Sequence, residues 1–304
     1  MQPADTAVTE VATATRKFFR RVLPIMLVML VCNQLNRSNI GYAQTQLEAD
    51  VGIGAAAYGL GAGLFFIAYA IFELPSNVMM EKYGAKIWLS RIMVSWGLMA
   101  GLTALVKTPA QFYAVRFMLG LAEAGFFPGV IVYLTHWFPV RDRAKALSFF
   151  LIATPFAQML NPKISNLVLP IGTTEIVNSI AIHHPKVMGL VGWQWVYIMW
   201  AIPAILLGIG ILWLLTDRPR QARWLSAEER DALENELAHE KADSTRGRRM
   251  TVFEALRHPK VLLLTLAYFG TVTASYGIEF FMPTIMKDWY QLNLNSLTWF
   301  IILP

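Results

Sequence analysis

Val22-Leu23-Pro24-Ile25-Met26-Leu27-Val28-Met29-Leu30-Val31-Cys32-Asn33-Gln34-Leu35-Asn36-Arg37-Ser38-Asn39-Ile40-Gly41-Tyr42-Ala43 decides how the rest of the chain is read. Its 22 residues match the roughly 20 residues a helix needs to cross about 30 Å of hydrocarbon. Unpaired backbone is not tolerated against lipid, so the run is expected to be helical throughout. Its second half places Asn33, Asn36 and Arg37 on one face at helical spacings of three and four. A helix whose apolar length carries one polar stripe belongs in a bundle, with that stripe turned to the interior or to a wet cavity.

Six more runs of similar length follow: Tyr58–Met80, Trp88–Val106, Phe112–Leu134, Ala146–Leu169, Trp195–Leu215 and Val261–Met282. A membrane barrel would instead alternate over segments of about ten residues. The 304 residues are 56% hydrophobic and only 15% charged, against about 25% charged in soluble domains. Lipid is therefore the expected solvent. The single cysteine, Cys32, excludes an intramolecular disulfide and a cysteine metal site.

The net charge of +6 and pI near 9.4 raise the question of nucleic acid, which the positions of the charges answer. Four Lys/Arg precede the first run, Lys82, Lys86 and Arg91 lie between the second run and the first turn of the third, three lie between the fourth and fifth, and ten between the sixth and seventh. The alternate loops hold only Lys107, Lys163, Lys186 and Lys287. Lys/Arg excess marks the cytoplasmic side, so the N-terminus and the long loop are expected inside. The charge is a topology signal, and no basic patch interleaved with aromatics speaks for nucleic acid.

Residues 1–21 read as a cytoplasmic tail whose first 15 or so residues are polar and disordered, with no cleavable signal peptide. Residues 22–215 read as a six-helix bundle, and 216–259 as a hydrophilic middle loop. Within the loop, Ser226 and Glu229 form a capping-box pattern, and Leu225, Leu233 and Leu237 fall near one face. A short amphipathic helix along the cytoplasmic surface is expected, with a solvated linker around Asp243–Arg249. Residues 260–304 read as the start of a second bundle. An eighth run opens near Leu297 and stops at Pro304, too short to span, so the reading expects the front two-thirds of a twelve-span protein.

Charges at membrane depth are costly and mark functional candidates. Besides Arg37, the fourth run carries Arg116 and Glu123, seven residues apart on one face with Gly120 between them. Arg37, Arg116 and Glu123 fall at the middle-to-outer depth and could meet across a cavity. Arg37 needs an anionic partner, either Glu123 or a ligand. The plainer alternative is a structural Arg116–Glu123 pair. Burial opposes a charge on Glu123 and a guanidinium favours it, so the group can change protonation as its surroundings alternate. Glu73 is read as interfacial, and Glu279 as either vestibular or headgroup-facing. Gly59, Gly61, Gly63, Gly97, Gly101, Gly125 and Gly129 are read as helix-packing positions. His183-His184-Pro185 is read as outer loop. No Walker A, GxGxxG after a strand, HExxH or nucleophile elbow is present, so neither an ATP-driven pump nor an enzyme is supported, and no cofactor or metal is expected.

A set of motifs resembles the major facilitator superfamily, and within it the anion:cation symporters for organic acids of the tartrate, galactonate, glucarate and phthalate type. The inner-loop segment Asn77-Val78-Met79-Met80-Glu81-Lys82-Tyr83-Gly84-Ala85-Lys86 is a variant of the superfamily signature, with Asn77 where glycine is usual. Arg116-Phe117-Met118-Leu119-Gly120-Leu121-Ala122-Glu123-Ala124-Gly125, Phe127-Pro128 and Trp137-Phe138-Pro139 resemble the family's fourth helix and its exit. Arg143-Ala144-Lys145-Ala146, Trp193-Gln194-Trp195, Leu215-Thr216-Asp217-Arg218-Pro219 and Trp224-Leu225-Ser226 complete the set.

The resemblance implies an all-α membrane bundle: a complete N-terminal six-helix half plus the first one or two helices of the other half. It implies proton-coupled symport of a small organic anion by alternating access, with substrate at the midplane. Arg37 takes the position of the carboxylate-binding arginine, and Gln34, Asn33, Tyr69, Thr154 and Tyr276 are counted with the substrate-facing group. Glu123 takes the proton-coupling position with Arg116 and Asn36 beside it. Glu81, Lys82, Gly84, Lys86, Arg143 and Lys145 form the conformational loop motif. Two departures stand out: the family's Tyr-x-Asp-Arg reads Gln34-Leu35-Asn36-Arg37, so Asn36 cannot titrate, and Trp200 stands where an acid is common. The expected partners are the anion, protons and membrane lipid, in a monomer at the inner membrane. An uncoupled facilitator or anion exchanger is the alternative, and a non-transporting sensor or scaffold a third reading.

Overall fold

The computed structural model describes residues 3–177, 180–244, 254 and 257–290. Its elements in chain order are α1 (Pro3–Arg21), α2 (Leu23–Val51), α3 (Ala55–Tyr83), α4 (Ala85–Thr103), α5 (Pro109–Glu123), α6 (Phe126–Thr135), α7 (Val140–Leu151) and α8 (Ala153–Val168). There follow β1 (Thr174–Val177), β2 (Ile180–His183), α9 (Gly192–Leu214), a 3-10 turn (Pro219–Gln221), α10 (Ala227–Ser244) and α11 (Pro259–Tyr290).

Among the described residues, four helical stretches are long and apolar enough to cross a membrane: Ala55–Tyr83, Pro109–Thr135, Gly192–Leu214 and Pro259–Met282. The pair Val8–Arg21 and Leu23–Val51, bent by 40°, makes a fifth. The expected third and fifth runs are helical too, as α4 and as α7 with α8, but Lys86 and Arg91 in the one and Arg141, Arg143 and Lys145 in the other dilute their apolarity. The expected eighth run near Leu297 lies outside the described residues.

Burial follows the helical period with its sense set by lipid. On α3, Leu60, Ile67, Ile71, Leu74 and Val78 are exposed along one face, and on α9 Ile202, Leu206, Ile209 and Trp213 are. These spacings of three, four and seven make outward apolar stripes, which suit hydrocarbon. Facing inward, α4 packs along α9, α3 along α5, and α2 against α8 and α9. The interior holds two apolar clusters. One, at the end carrying α1 and α10, includes Phe18, Met26, Trp96, Phe126 and Trp137. The other, at the opposite end, includes Ile40, Tyr58, Phe112, Trp193, Tyr197 and Phe280. On α2 the first cluster takes residues up to Cys32 and the second resumes at Ile40, so Asn33, Asn36 and Arg37 fall in the layer between them.

Two glycines make that layer possible. A Cβ at Gly120 would lie 2.2 Å from the carbonyl oxygen of Phe65, so only glycine lets α3 and α5 approach this closely. Gly125 has φ +86°, a left-handed conformation natural to glycine, and it divides the fourth run into α5 and α6 directly after Glu123 and Ala124. The carbonyl of Ala124 that the break frees accepts from Ser76 Oγ at 2.6 Å. The run expected as one helix, Phe112–Leu134, is thus two. Its start is set at Thr108, whose Oγ1 accepts from the Gln111 N–H at 3.3 Å, followed by Pro109.

Three expectations are corrected. Residues 3–15 are not a disordered tail: they belong to α1. Val11, Ala14, Phe18 and Val22 recur at three and four residues and are buried, with the Phe18 ring 4.9 Å from Trp137 and 4.8 Å from Phe138. The polar residues between them had masked the stripe. The segment around His183 is not plain loop either, because β1 and β2 pair antiparallel with Thr174 opposite His183, and Thr174 Oγ1 lies 2.7 Å from His183 Nδ1. Finally, α2 runs to Val51 rather than ending at Ala43.

The loop helix α10 starts on reciprocal bonds: the Ser226 N–H donates to Glu229 Oε2 at 2.8 Å and the Glu229 N–H to Ser226 Oγ at 3.2 Å. Leu225 and Leu233 are buried against the first cluster, and Lys17 of α1 reaches Glu229 at 2.6 Å. Because Lys17 is 44% exposed, that pair adds little, and packing holds α1 in place. Phe18→Ala is therefore expected to cost about 3–5 kcal/mol, read as a lower midpoint in thermal melts of the detergent-solubilised protein. An unchanged melt would restore the disordered tail.

Candidate functional site

The polar layer converges on one carboxylate. Glu123, at the end of α5 and 1% exposed, pairs with Arg37 Nε of α2. Its Oε1 also accepts from Asn33 Nδ2 at 2.7 Å. Asn33 and Arg37 lie one turn apart on α2, so a single helix face presents both donors to it. Arg37 Nη1 donates to the phenol oxygen of Tyr276, on α11, at 2.7 Å. Its guanidinium also sits over the rings of Tyr69, 5.0 Å from the centroid, and Phe65, at 5.6 Å.

Arg116 is only 2% exposed. Its guanidinium lies 4.9 Å from the centroid of the same Phe65 ring, and its Nε has no hydrogen-bond partner. Among the described residues no ion pair joins Arg116 to Glu123, so the plainer alternative, a structural Arg116–Glu123 strut, is not what forms. Asn36 Nδ2 donates to the Cys32 carbonyl at 3.1 Å and to the Trp200 carbonyl at 3.2 Å. Asn36 Oδ1 and both polar atoms of the Asn39 amide are buried without partners.

Asn36, Arg37, Phe65, Phe66, Arg116, Leu119, Glu123 and Phe280 enclose a residual cavity of about 10 Å³, room for about one water. Phe280 and Tyr276 come from α11 and stack against Phe66 with centroids 6.2 and 4.9 Å away. The side chains themselves fill most of the site.

The other expected residues fall in different places. Tyr69 and Tyr276 join Arg37. Gln34 and Thr154 are half-buried but form no part of the cavity wall. Phe65, Phe66 and Phe280 line the site without having been singled out in the sequence. The aromatic pair Phe65-Phe66, one turn before Tyr69, was the available signal. A second missed group is the buried chain in which Asn161 Nδ2 donates to Ser38 Oγ at 2.6 Å and Ser165 Oγ donates to Asn161 Oδ1 at 3.2 Å.

The loop-motif residues gather at the basic end. The Lys86 N–H, in the first turn of α4, donates to Asp217 Oδ1 at 2.7 Å, a carboxylate at a helix N-terminus. Arg143 donates to the Phe138 carbonyl at 2.8 Å and to Glu240 at 3.2 Å, and Glu240 also accepts from the Val140 N–H at 2.9 Å. Lys82 and Lys145 lie over the rings of Tyr83 and Phe19. Glu81, His136, Arg143, Arg218, Glu240 and Lys241 line an open cavity of about 660 Å³ there. Burial, with Arg218 and Lys241 nearby, pulls the His136 imidazole down to about 4.

The family model described as Major Facilitator Superfamily matches residues 26–304. A protein of Agrobacterium vitis named "Putative tartrate transporter" is 38% identical over 282 residues, 93% of this chain and 61% of that protein. The "Quinolone resistance transporter" of Acinetobacter baumannii is 40% identical over 268 residues, 88% of this chain and 59% of that one. The chain thus spans about three-fifths of the length of these relatives. Among solved structures, an inward-facing bacterial homolog of the human lysosomal transporter Spinster superposes with TM-score 0.66 at 17% identity, covering 91% of this chain and 57% of that one. A D-xylose-proton symporter superposes with TM-score 0.64 at 14% identity, covering 94% and 65%. At such identities the likeness is one of fold.

Two outcomes test this geometry. Arg37→Met strands a buried carboxylate and is expected to cost about 3–5 kcal/mol, whereas adding Glu123→Leu recovers part of that loss. Thermal melts of the single and double variants read the difference. For His136 the folded value lies below the unfolded 6.5, so the unfolded chain binds more protons between the two. The stabilisation is complete above pH 6.5 and is lost as pH falls towards 4. His136→Gln is expected to flatten the pH dependence of the melting midpoint over that window.

Proposed function

The chain belongs to the Major Facilitator Superfamily, and on that footing we propose that it serves proton-coupled symport of a small organic anion by alternating access. The observation that carries this reading is a small buried cavity lined by two guanidiniums, Arg37 and Arg116, and one carboxylate, Glu123, which Arg37 holds. The site has positive charge to spare. A proton on Glu123 ends its claim on Arg37, and the freed guanidinium can grip a carboxylate through two N–H groups. Departure of the anion lets Glu123 lose its proton and take Arg37 back. Anion and proton thereby move together, because each state of Glu123 leaves a different partner for the same cation. Asn36 has no proton to trade, so coupling rests on Glu123.

Tyr276 and Phe280 on α11 cover this cation, so loading requires α11 to part from α2, as alternating access demands. The cargo we favour is a hydroxycarboxylate or sugar acid of the tartrate, galactonate or glucarate kind. Asn33, Tyr69 and Tyr276 offer hydrogen-bonding groups around the arginine, and the tartrate-named relative shares the class. The Lys/Arg distribution supports a cytoplasmic basic end with the N-terminus inside, at the inner membrane, and a monomer needs no further chain for the site described. The uncoupled facilitator or exchanger remains the second reading, favoured by Asn36, whose amide is spent on two backbone carbonyls.

Uptake by the full-length protein in proteoliposomes separates these readings. An inward proton gradient is expected to drive accumulation of labelled tartrate or a sugar acid. Arg37→Ala is expected to abolish uptake, and Glu123→Gln to abolish accumulation while sparing exchange. pH-independent flux stimulated by internal substrate would instead establish the exchanger. Accumulation of a quinolone with no hydroxycarboxylate uptake would overturn the proposed cargo.

A further inference from the structure

At the basic end, away from the polar layer, a groove of about 700 Å³ opens between the ends of α1, α4 and α9 and the segment after α9. Three cations line it: Arg21 from the last turn of α1, Lys86 from the first turn of α4, and Arg223 after the 3-10 turn. Among the described residues none of the three takes part in an ion pair. The one carboxylate in the wall, Asp217, is turned to the Lys86 backbone N–H. The lining therefore carries two net positive charges, and Gln221 adds a side-chain amide donor. The neighbouring basic cavity differs, because there Glu81 and Glu240 stand among the cations.

The groove is also continuous with the lipid-facing surface. Its wall includes Trp213, 77% exposed, and Ile87, 54% exposed. Trp213 ends the outward stripe Ile202, Leu206, Ile209 and Trp213 on α9. An indole at the end of such a stripe sits at headgroup level, and arginine and lysine stems reach along apolar surface to place their charges there.

We propose that this groove binds the headgroup of an anionic phospholipid, with the phosphodiester held by Arg21, Lys86 and Arg223 and an acyl chain lying along the α9 stripe. Cationic pockets between membrane helices are suited to this ligand. A free inorganic anion would use the cations but gain nothing from Trp213, Ile87 and the stripe, so the lipid is the occupant that uses the whole surface. The proposal is independent of the transported cargo, since the groove shares no residue with the Arg37–Glu123 cavity.

The test is native mass spectrometry of the full-length protein in detergent, titrated with phosphatidylglycerol or with phosphatidylcholine of the same acyl chains. Wild type is expected to retain phosphatidylglycerol in preference. At about fivefold per cation near a membrane surface, Arg21→Gln/Arg223→Gln lowers its affinity about thirtyfold and leaves phosphatidylcholine unchanged. Arg21→Lys/Arg223→Lys retains the lipid, as does Arg141→Gln outside the groove. Equal retention of the two lipids by wild type, or undiminished phosphatidylglycerol on the glutamine variant, overturns the proposal. So does equal loss in the lysine variant, which would make the effect one of packing, and displacement of the lipid by millimolar inorganic phosphate, which would make this a general anion site.

Discussion

A buried carboxylate with more suitors than it can satisfy organises the centre of this molecule. Glu123 is held by Arg37 and Asn33 from α2, while Arg116 lines the same small cavity against the Phe65 ring. Removing two such charges from water is expensive, and their attraction offsets the cost only where geometry and further hydrogen bonds are good. The fold supplies those conditions through three features. The approach of α3 to α5 at Gly120 brings the Phe65 ring close to both guanidiniums. The break at Gly125 ends α5 just past Glu123. The two apolar clusters bound the layer on either side. A pair of this kind is a poor source of net stability.

The two ends of the bundle are built differently. At one end α1 and α10 are fastened to the helix ends by aromatic packing around Phe18, Trp137 and Trp224, whose indoles stack at 5.4 Å. Glu229 and Glu240 bind Lys17 and Arg143 there. At the other end α11 reaches α2 and α3 through Tyr276 and Phe280, over Phe66 and Tyr58. The first arrangement interlocks apolar rings with ion pairs. Among the described residues, the second joins aromatic contacts to the Arg37–Tyr276 bond and to a bond from the Tyr58 hydroxyl to the Phe280 carbonyl at 3.4 Å.

Much of this was legible in the chain itself. Lipid leaves a backbone only the choice of helix or closed barrel, so apolar run length located the helices of the bundle, and the capping pattern at Ser226 and Glu229 located the start of α10. The residues at depth were equally visible, since a charge in hydrocarbon stands out in composition alone. What misled was local masking. The α1 stripe hides among threonines and alanines, and a strand pair of four residues each is too short to rise above the loop around it.

The sequence by itself determined which stretches are long, apolar and helical and which few charges lie within them, because both follow from transfer free energies that act residue by residue. Only the tertiary structure decided who holds whom. Arg116 and Glu123 share a face of α5, yet seven residues is about 10 Å of helix rise, beyond the reach of a direct pair. Arg37 comes from another helix at the same depth and takes the carboxylate. That choice depends on how closely two helices approach, which is a property of their packed surfaces and is written in neither segment alone.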